Sequence, residues 1–333
     1  MTETGIIKLS ANENFYGCSE KVYKAIEQKY RSIYEYPEMN PVKLKEKIAG
    51  KHRVNLSNVI VGPGSVSIIN HLIQSYSKPG DEILTFEKSF VAYGQLSLMH
   101  GRKCIFASLK DFRCSPENLL PFVNSNTKII FIANPNNPTG TIISHDELES
   151  LLQRLSSDVL VVHDEAYGEY VHDKSFPDAV ALLSKYPNLA ILHSFSKIYG
   201  LAGLRAGYLI GNVSIISSLS KIHVPYSLNY LTSCAAIAAL DDTEFLNMSA
   251  QANEKEATFL FEELSKLGYK TVRSHANFVY LWFESEEEKK TIYNNLLTGG
   301  IASCDLAIFG QEKSIRISIA DRKTNSLIIQ LMS

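Results

Sequence analysis

Short, continuously apolar segments alternate with helix-like segments from Val59 to Ile210. Clear examples are Lys128 to Ala133 (K-I-I-F-I-A) and Asp158 to His163 (D-V-L-V-V-H). A strand that is apolar throughout is typical of a parallel sheet buried on both faces, and helices between such strands supply the crossovers. We therefore predict an α/β fold whose large lobe has a mostly parallel sheet of the seven-stranded type, covered by helices.

Polar clusters follow the ends of three of these predicted strands. Asn137 lies in N-P-N-N-P-T-G, Asp164 begins D-E-A-Y, and Lys197 follows H-S-F-S. In open α/β sheets, ligands bind at the carboxyl ends of the strands, where neighbouring ends lie side by side. The sequence therefore predicts that these three side chains share one site.

The pattern changes after Asp241. A long charged helix over Glu244 to Leu267 precedes two separate strands, Asn277 to Phe283 and Ser314 to Ile319. This arrangement predicts a smaller α+β lobe. The N-terminal stretch has no obvious partner strand in the large sheet, so we expect it to join the small lobe. The predicted domains are 31–240 for the large lobe, and 1–30 with 241–333 for the small one.

Composition excludes several classes of protein. The chain has 333 residues, 45% of them hydrophobic and 20% charged, with a formal net charge of -2, so nucleic acid and anionic membranes are not expected partners. Five scattered cysteines without C-x-x-C spacing argue against structural zinc and a disulfide framework, and for a reducing cytoplasm. Neither a signal-peptide pattern nor an apolar run of about 18 residues is present, and we expect no membrane span.

Two segments contain residues suited to binding an anion or an aldehyde. Lys197 lies among serines and before a glycine-rich run that ends in Arg205, so it can form a Schiff base or pair with a phosphate. Arg205 offers a planar fork for a phosphate group. The turn G-P-G-S-V-S at 62–67 opens a predicted helix, whose free amides at Ser65 and Val66 form a second anion site.

A pyridine-aldehyde phosphate cofactor has five requirements, and the sequence has candidates for each. It needs a lysine, an acid beside the ring nitrogen, donors to the phenolic oxygen, a phosphate site and a stacking ring. Lys197 is the candidate lysine, Asp164 the acid, and Tyr93 the stacking ring. Tyr167 and Asn137 are the candidate donors to the phenolic oxygen. The candidate phosphate site consists of Ser194, Ser196, Arg205 and the amides of Ser65 and Val66.

These motifs resemble those of the fold-type I pyridoxal-phosphate aminotransferases, and the chain is most similar to the histidinol-phosphate aminotransferases. The resemblance spans nearly the whole chain, and its motifs are A-N-E-N at 11–14, Tyr36-Pro37, N-P-N-N-P-T-G, D-E-A-Y, S-F-S-K-I-Y-G-L-A-G-L-R-A-G-Y and R-I-S-I at 316–319. It implies an aspartate aminotransferase-like fold and pyridoxal 5'-phosphate as cofactor. It also implies transfer of an amino group from an amino acid, glutamate, to a keto or keto-phosphate acceptor, with Lys197 as the base.

The resemblance adds roles for three residues. Tyr93 matches the aromatic residue that stacks on the cofactor. Tyr36 matches a tyrosine that reaches the cofactor phosphate of a neighbouring subunit, which implies a homodimer with shared active sites. Arg316 matches the arginine that binds the substrate carboxylate.

Three departures from the family pattern concern the substrate end and the phosphate turn. Cys304 replaces the arginine of a G-I-x-V-R-D segment, and Asn14-Phe15 stands in place of the commoner Asn-Pro. Ser65-Val66 replaces Ser-Asp or Ala-Asp. We therefore take Arg316, Asn14, Phe15 and Cys304 as the candidate substrate-binding residues, and the identity of the acceptor stays open.

Other functions remain as alternatives. A decarboxylase of the same fold, acting on a phosphorylated amino acid, would use the same cofactor residues, and so would an aminotransferase for another small or aromatic substrate. A cofactor-binding regulator would carry an additional DNA-binding domain, often basic. A dehydrogenase is disfavoured because no G-x-G-x-x-G follows an early strand.

Overall fold

The computed structural model describes residues 5–333, which form two lobes. In chain order the strands are β1 Ile7–Lys8, β2 Val59–Gly62, β3 Glu82–Phe86, β4 Lys103–Ala107, β5 Thr127–Ala133, β6 Leu160–Asp164, β7 Leu189–Ser194, β8 Gly207–Gly211, β9 Lys270–Thr271, β10 Phe278–Trp282, β11 Ile301–Ala302, β12 Cys304–Asp305 and β13 Ser314–Ser318. The helices are α1 Glu20–Lys29, α2 Val42–His52, α3 Ser65–Tyr76, α4 Ala92–Met99, α5 His145–Arg154, α6 Ala179–Leu182, α7 Val213–Ser220, α8 Tyr230–Leu240, α9 Thr243–Lys266, α10 Glu286–Thr298 and α11 Arg322–Met332.

The large lobe contains a seven-stranded sheet in the order β2-β8-β7-β6-β5-β3-β4. Strand β8 runs antiparallel to both of its neighbours, and every other pair in the sheet is parallel. The predicted α/β fold with a mostly parallel sheet is therefore confirmed.

Both faces of this sheet are buried, which explains why its strands are apolar throughout. On β5, Ile130 and Ile132 pack into one core cluster, whereas Ile129 and Phe131 pack into a second cluster on the other face. Alternate residues of a strand point to opposite faces, so an apolar residue is favoured at every position.

Polar side chains cap two of the helices. Ser144 accepts a hydrogen bond from the Glu147 amide, and the Glu147 carboxylate accepts one from the Ser144 amide, which completes a capping box at the start of α5. Ser285 caps α10 through the Glu288 amide. The Glu288 carboxylate accepts from the Glu284 amide instead, so only half of a capping box forms there.

The small lobe has an antiparallel sheet, β12-β13-β10-β9, and a separate parallel pair, β1-β11. Leu9, which follows β1, packs in the same cluster as Leu260 of α9 and Ile317 of β13. The first strand therefore packs with the small lobe.

The predicted boundary after residue 30 is wrong for α1. Val22 of α1 packs in the large-lobe cluster with Ile48 of α2 and Ala235 of α8, because the buried side of the helix faces that core. The chain therefore passes to the large lobe between Leu9 and Val22. Residues 1–4 of the predicted small domain lie outside the described residues.

Candidate active site

A cavity of about 320 Å³ lies at the carboxyl ends of β5, β6 and β7, where the two lobes meet. Its walls combine large-lobe loops with residues of the small lobe and the N-terminal segment. Of the residues predicted from the sequence, the cavity brings together Ser65, Val66, Tyr93, Asn137, Asp164, Tyr167, Ser194, Ser196, Lys197, Arg205 and Arg316.

Lys197 lies in the turn that follows β7. Its ammonium nitrogen donates hydrogen bonds to the carbonyl oxygens of Ala11, at 3.3 Å, and Asn12, at 3.5 Å. It also lies 5.3 Å from the centroid of the Tyr167 ring. These neighbours are all neutral, so no carboxylate competes with an aldehyde for this amine.

Asp164 is the last residue of β6 and is buried. Its carboxylate accepts hydrogen bonds from the Tyr93 hydroxyl, at 2.7 Å, and from the Ala166 amide, at 3.0 Å. Burial raises the pKa of Asp164 to about 6, and the Tyr93 hydrogen bond opposes that shift. A buried carboxylate is unfavourable without a cation, so a protonated ring nitrogen would fit here.

Tyr93 does not have the stacking role predicted for it. Its side chain is fully buried, its hydroxyl is bound to Asp164, and its ring stacks on Phe131 with the centroids 4.6 Å apart. It therefore has no accessible ring face for a cofactor. Phe90, three residues earlier, also lines the cavity, and its ring lies edge-on to Tyr93 at 5.6 Å. Phe90 is the aromatic side chain that is free to cover a cofactor ring.

The predicted phosphate end is built from Arg205 and the start of α3. The Arg205 guanidinium donates to the Ser196 hydroxyl at 3.1 Å and to the Ala202 carbonyl at 3.0 Å. It packs against Gly64, where an added Cβ would lie 2.6 Å from the guanidinium, and Gly64 has a φ of +85°. The Ser65 amide begins α3 and has no partner within the helix. This pairing of a cation with a free helix N-terminus fits the phosphate of pyridoxal phosphate.

The phenolic end is formed by Tyr167 and Asn137. The Tyr167 hydroxyl accepts a hydrogen bond from the Asn12 side chain at 3.0 Å, and the Asn137 side-chain oxygen accepts one from Arg316 at 2.5 Å. Asn12 is a site residue that the sequence reasoning missed. It belongs to the same A-N-E-N motif, in which Asn14 was selected instead.

Arg316 is a buried cation without an acidic partner among residues 5–333. Its guanidinium donates to Asn137 and, at 2.8 Å, to the Ser10 carbonyl, but its Nε has no hydrogen-bond partner. Buried charges are normally paired, so this arrangement suits an incoming carboxylate.

The structure contradicts three of the predicted substrate-binding residues, because Asn14, Phe15 and Cys304 do not line the cavity. The Asn14 side chain instead donates to the Ile198 carbonyl at 2.7 Å, and Phe15 is 38% exposed. Cys304 lies opposite Arg316 in the register of β12 and β13, but it is buried with Tyr280 and Leu306.

Tyr36 lies outside the cavity and is 85% exposed, with its ring 5.2 Å from that of Tyr226. The structure is of a single chain, so the role of Tyr36 toward a neighbouring subunit stays a prediction. In the part of the chain that the structure describes, no group of acidic, histidine or cysteine side chains is arranged to hold a metal ion. No helix in 5–333 is long and apolar enough to cross a membrane.

Comparison with known proteins agrees with this geometry. A family model described as aminotransferase class I and II matches residues 4–329. The histidinol-phosphate aminotransferase of Caldicellulosiruptor saccharolyticus is 35% identical over 327 residues, which cover 98% of this chain and 91% of that protein.

Solved structures share the fold over almost the whole chain. The histidinol-phosphate aminotransferase of Clostridium acetobutylicum has a TM-score of 0.88 at 26% identity, covering 98% of both chains. That of Sinorhizobium meliloti, in complex with pyridoxal 5'-phosphate, has a TM-score of 0.90 at 24% identity, covering 98% of this chain and 90% of its own. At 24% identity, the second likeness concerns the fold alone.

Proposed function

Because the chain belongs to the class I and II aminotransferases and is a pyridoxal 5'-phosphate-dependent transaminase, we propose that Arg316 and Lys197 act on an amino acid and a keto acid in turn. The observation that carries the proposal is the buried guanidinium of Arg316, which lacks an acidic partner in the described chain and lines the same cavity as Lys197. Bound pyridoxal phosphate supplies an electron sink that makes the α proton of the attached substrate acidic.

Pyridoxal phosphate would be held at its two ends. Arg205, the Ser196 hydroxyl and the amides at the start of α3 would bind the phosphate. Asp164 would pair with the protonated ring nitrogen, and its burial would strengthen that pairing because little solvent screens it. Tyr93 fixes the orientation of the Asp164 carboxylate by a hydrogen bond.

Arg316 binds the substrate and Lys197 transfers its proton in this proposal. The planar guanidinium of Arg316 binds the substrate carboxylate by two parallel hydrogen bonds, which fixes the position of the α carbon. With pyridoxal phosphate bound, the Lys197 amine would take the proton from the α carbon and act as the general base and acid of the reaction. Release of the donor as its keto acid would consume one water molecule and leave the amino group in the site, and uptake of that group by a second keto acid would release one water molecule.

The active enzyme is a homodimer in this proposal, and Tyr36 of each subunit contacts the cofactor phosphate of the other. Support comes from an exposed patch, here called the aromatic patch, in which Tyr36 and Tyr226 are in contact. Its members are Ile33, Tyr34, Tyr36 and Tyr226, which are exposed and line one surface groove. Monomeric proteins rarely expose an apolar surface of this kind without a partner.

The proposed location is the cytoplasm, because Cys18, Cys104, Cys114, Cys234 and Cys304 are all free thiols. Unpaired cysteines persist in reducing compartments. The proposed partners are small molecules, an amino acid and a keto acid.

A second candidate acceptor is the ketone that corresponds to histidinol phosphate, which the names of the curated relatives favour. The purified protein, loaded with pyridoxal phosphate, is incubated with glutamate and either this ketone or a set of 2-oxo acids. Formation of 2-oxoglutarate with the matching amine supports transamination. Release of carbon dioxide from a phosphorylated amino acid supplied in a parallel incubation, with no 2-oxoglutarate formed from glutamate, would contradict the proposal and favour a decarboxylase.

A further inference from the structure

The walls of the cavity differ in charge from one end to the other. We infer that the preferred substrate carries a single carboxylate and an uncharged, apolar side chain, which lies between Phe90 and Phe309. This inference rests on the proposed function, since it concerns the substrate of the same site. It excludes a phosphate or a second carboxylate at the far end of the preferred substrate.

Each cation of the cavity already has a role. Among the residues in 5–333 that line it, the cations are Lys197, Arg205 and Arg316. Lys197 attaches the cofactor, Arg205 binds the cofactor phosphate, and Arg316 binds one carboxylate. Among residues 5–333, no other cation lines the cavity to bind a second anionic group of the substrate.

The residue beside Arg316 adds no positive charge. Cys304 takes the position at which the family pattern has an arginine, and it is buried with Tyr280 and Leu306. Burial raises the pKa of the Cys304 thiol, which therefore stays neutral. Glu13, the acidic residue of the N-terminal segment that lines the cavity, is ion-paired with Lys8 at 2.5 Å and supplies no positive charge either.

The wall next to the substrate position is apolar. Phe90 and Val91 from the large lobe face Leu306 and Phe309 from the small lobe. Apolar side chains bind to such a wall because both surfaces leave water, whereas an anion would lose its hydration without gaining a partner.

The same wall continues out of the cavity into a groove of about 720 Å³. The cavity and the groove share Phe90, Val91 and Phe309, and the groove extends along Leu98 and Phe106. A cavity of about 320 Å³ is at the lower end of the range for ligand sites, and it must also hold the cofactor. The groove therefore gives a longer substrate side chain a place to extend.

The test compares acceptors at fixed glutamate with the loaded dimer. Phenylpyruvate and 4-methyl-2-oxopentanoate are expected to have kcat/KM at least roughly tenfold above oxaloacetate, which carries a second carboxylate. Glutamate, with its second carboxylate, is expected to be a slower donor than phenylalanine at equal concentration. A higher kcat/KM for oxaloacetate would overturn the inference.

Binding without turnover gives an independent measurement. The unreactive acids 3-phenylpropionate and succinate are titrated against the loaded protein, and the change in cofactor absorbance reports occupancy. We expect 3-phenylpropionate to bind roughly tenfold more tightly, because its ring meets the apolar wall. Tighter binding of succinate would contradict the inference.

Two matched variants locate the apolar end. Phe309→Ala removes a wall residue, and its preference for phenylpyruvate over oxaloacetate should fall by roughly tenfold. Ile308→Ala removes a neighbouring side chain that is exposed and does not line the cavity, and it should keep the wild-type preference. Equal effects of both variants would overturn the assignment of the wall.

Different results would contradict the proposed function and the inference about the substrate. If no amino acid and keto acid exchange an amino group, the proposed function is wrong, and the inference fails with it. If glutamate is converted but doubly anionic acceptors are preferred, transamination stands and only the inference is wrong.

Discussion

The proposed pairing of Asp164 with the cofactor comes at the expense of the stability of the cofactor-free protein. Its carboxyl is buried, with a pKa raised from 3.8 to about 6, so the ionised form is disfavoured in the folded chain. Near pH 8 this costs on the order of 3 kcal/mol, because the unfolded chain ionises the group more easily. The penalty appears as the pH rises from about 4 to 6 and is absent below that range.

Asp164→Asn is therefore expected to stabilise the cofactor-free protein at pH 8 by roughly 2 kcal/mol, after the loss of one hydrogen bond. The same variant should bind pyridoxal phosphate more weakly. Thermal unfolding at pH 8 and pH 4 measures the first effect, and the gain should disappear at pH 4. Asp158→Asn, at an exposed position before β6, is the control. A less stable Asp164→Asn protein at pH 8 would refute this explanation.

Tyr93 and Phe90 are expected to respond differently to substitution. Tyr93→Phe keeps the ring on Phe131 but removes the hydroxyl that binds Asp164, so kcat should fall by roughly tenfold to a hundredfold with little change in KM. Phe90→Ala should raise the KM for the substrate, because Phe90 lines the inferred position of the substrate side chain. Steady-state kinetics with one donor and acceptor pair measures both. Unchanged kcat in Tyr93→Phe would show that its hydroxyl does not support Asp164.

Strands were easier to predict than side-chain roles, and α4 shows why. The apolar run of β5 predicts a buried strand whichever face each residue points to, because both faces of the sheet are buried. Helix α4 begins at Ala92, and its packing buries Tyr93 in the core while Phe90, before the helix, lines the cavity. The local sequence F-V-A-Y does not encode which aromatic residue faces the ligand.

Contacts between distant parts of the chain could not be predicted from the sequence either. Asn12 has a positive φ of 56° and meets Tyr167, which is 155 residues away in sequence. Asn14 in the same motif is turned away to the Ile198 carbonyl. The choice between the two asparagines depends on the packing of the two lobes, so neither spacing nor composition could decide it.

Helix α2 ends at a half-buried histidine, His52, whose titration is expected to make the fold sensitive to acid. His52 lies 2.9 Å from the Tyr208 hydroxyl and next to His193, and burial with the nearby charge of Lys51 lowers its pKa to about 4. The unfolded chain binds a proton on His52 near pH 6.5, so acid favours unfolding. Stability should fall by on the order of 3 kcal/mol between pH 6.5 and 4 from this group.

His52→Gln should therefore flatten the dependence of stability on pH in that range, because glutamine does not titrate and can still bond to Tyr208. Urea unfolding at several pH values measures the dependence of the free energy of unfolding on pH. His172→Gln, at an exposed position, is the matched control and should keep the wild-type slope. An unchanged slope in His52→Gln would contradict the assignment.

At the scale of the whole molecule, each lobe supplies one part of the site. The large lobe holds Lys197, Asp164 and Arg205, and the small lobe adds Arg316. Helix α9 joins the two cores, since Ala250 packs in the large-lobe cluster and Leu260 in the small-lobe cluster. The distance between Lys197 and the substrate carboxylate therefore depends on how the lobes pack together.

The proposed dimer predicts that charge in the aromatic patch separates the subunits. Ile33→Asp is expected to give a monomer at micromolar concentration by light scattering, with weaker cofactor binding, because Tyr36 of the partner is lost. Leu98→Asp, at an equally exposed position outside the patch, should remain a dimer. A dimeric Ile33→Asp protein with unchanged cofactor affinity would contradict this interface.

The most direct test of the central claim follows one nitrogen atom through the cavity. The loaded protein is given phenylalanine labelled with ¹⁵N and unlabelled 4-methyl-2-oxopentanoate, and the leucine formed is analysed by mass spectrometry. The account predicts that the label appears in leucine with the wild-type protein and that Lys197→Ala transfers none. Unlabelled leucine, or equal transfer by Lys197→Ala, would contradict it.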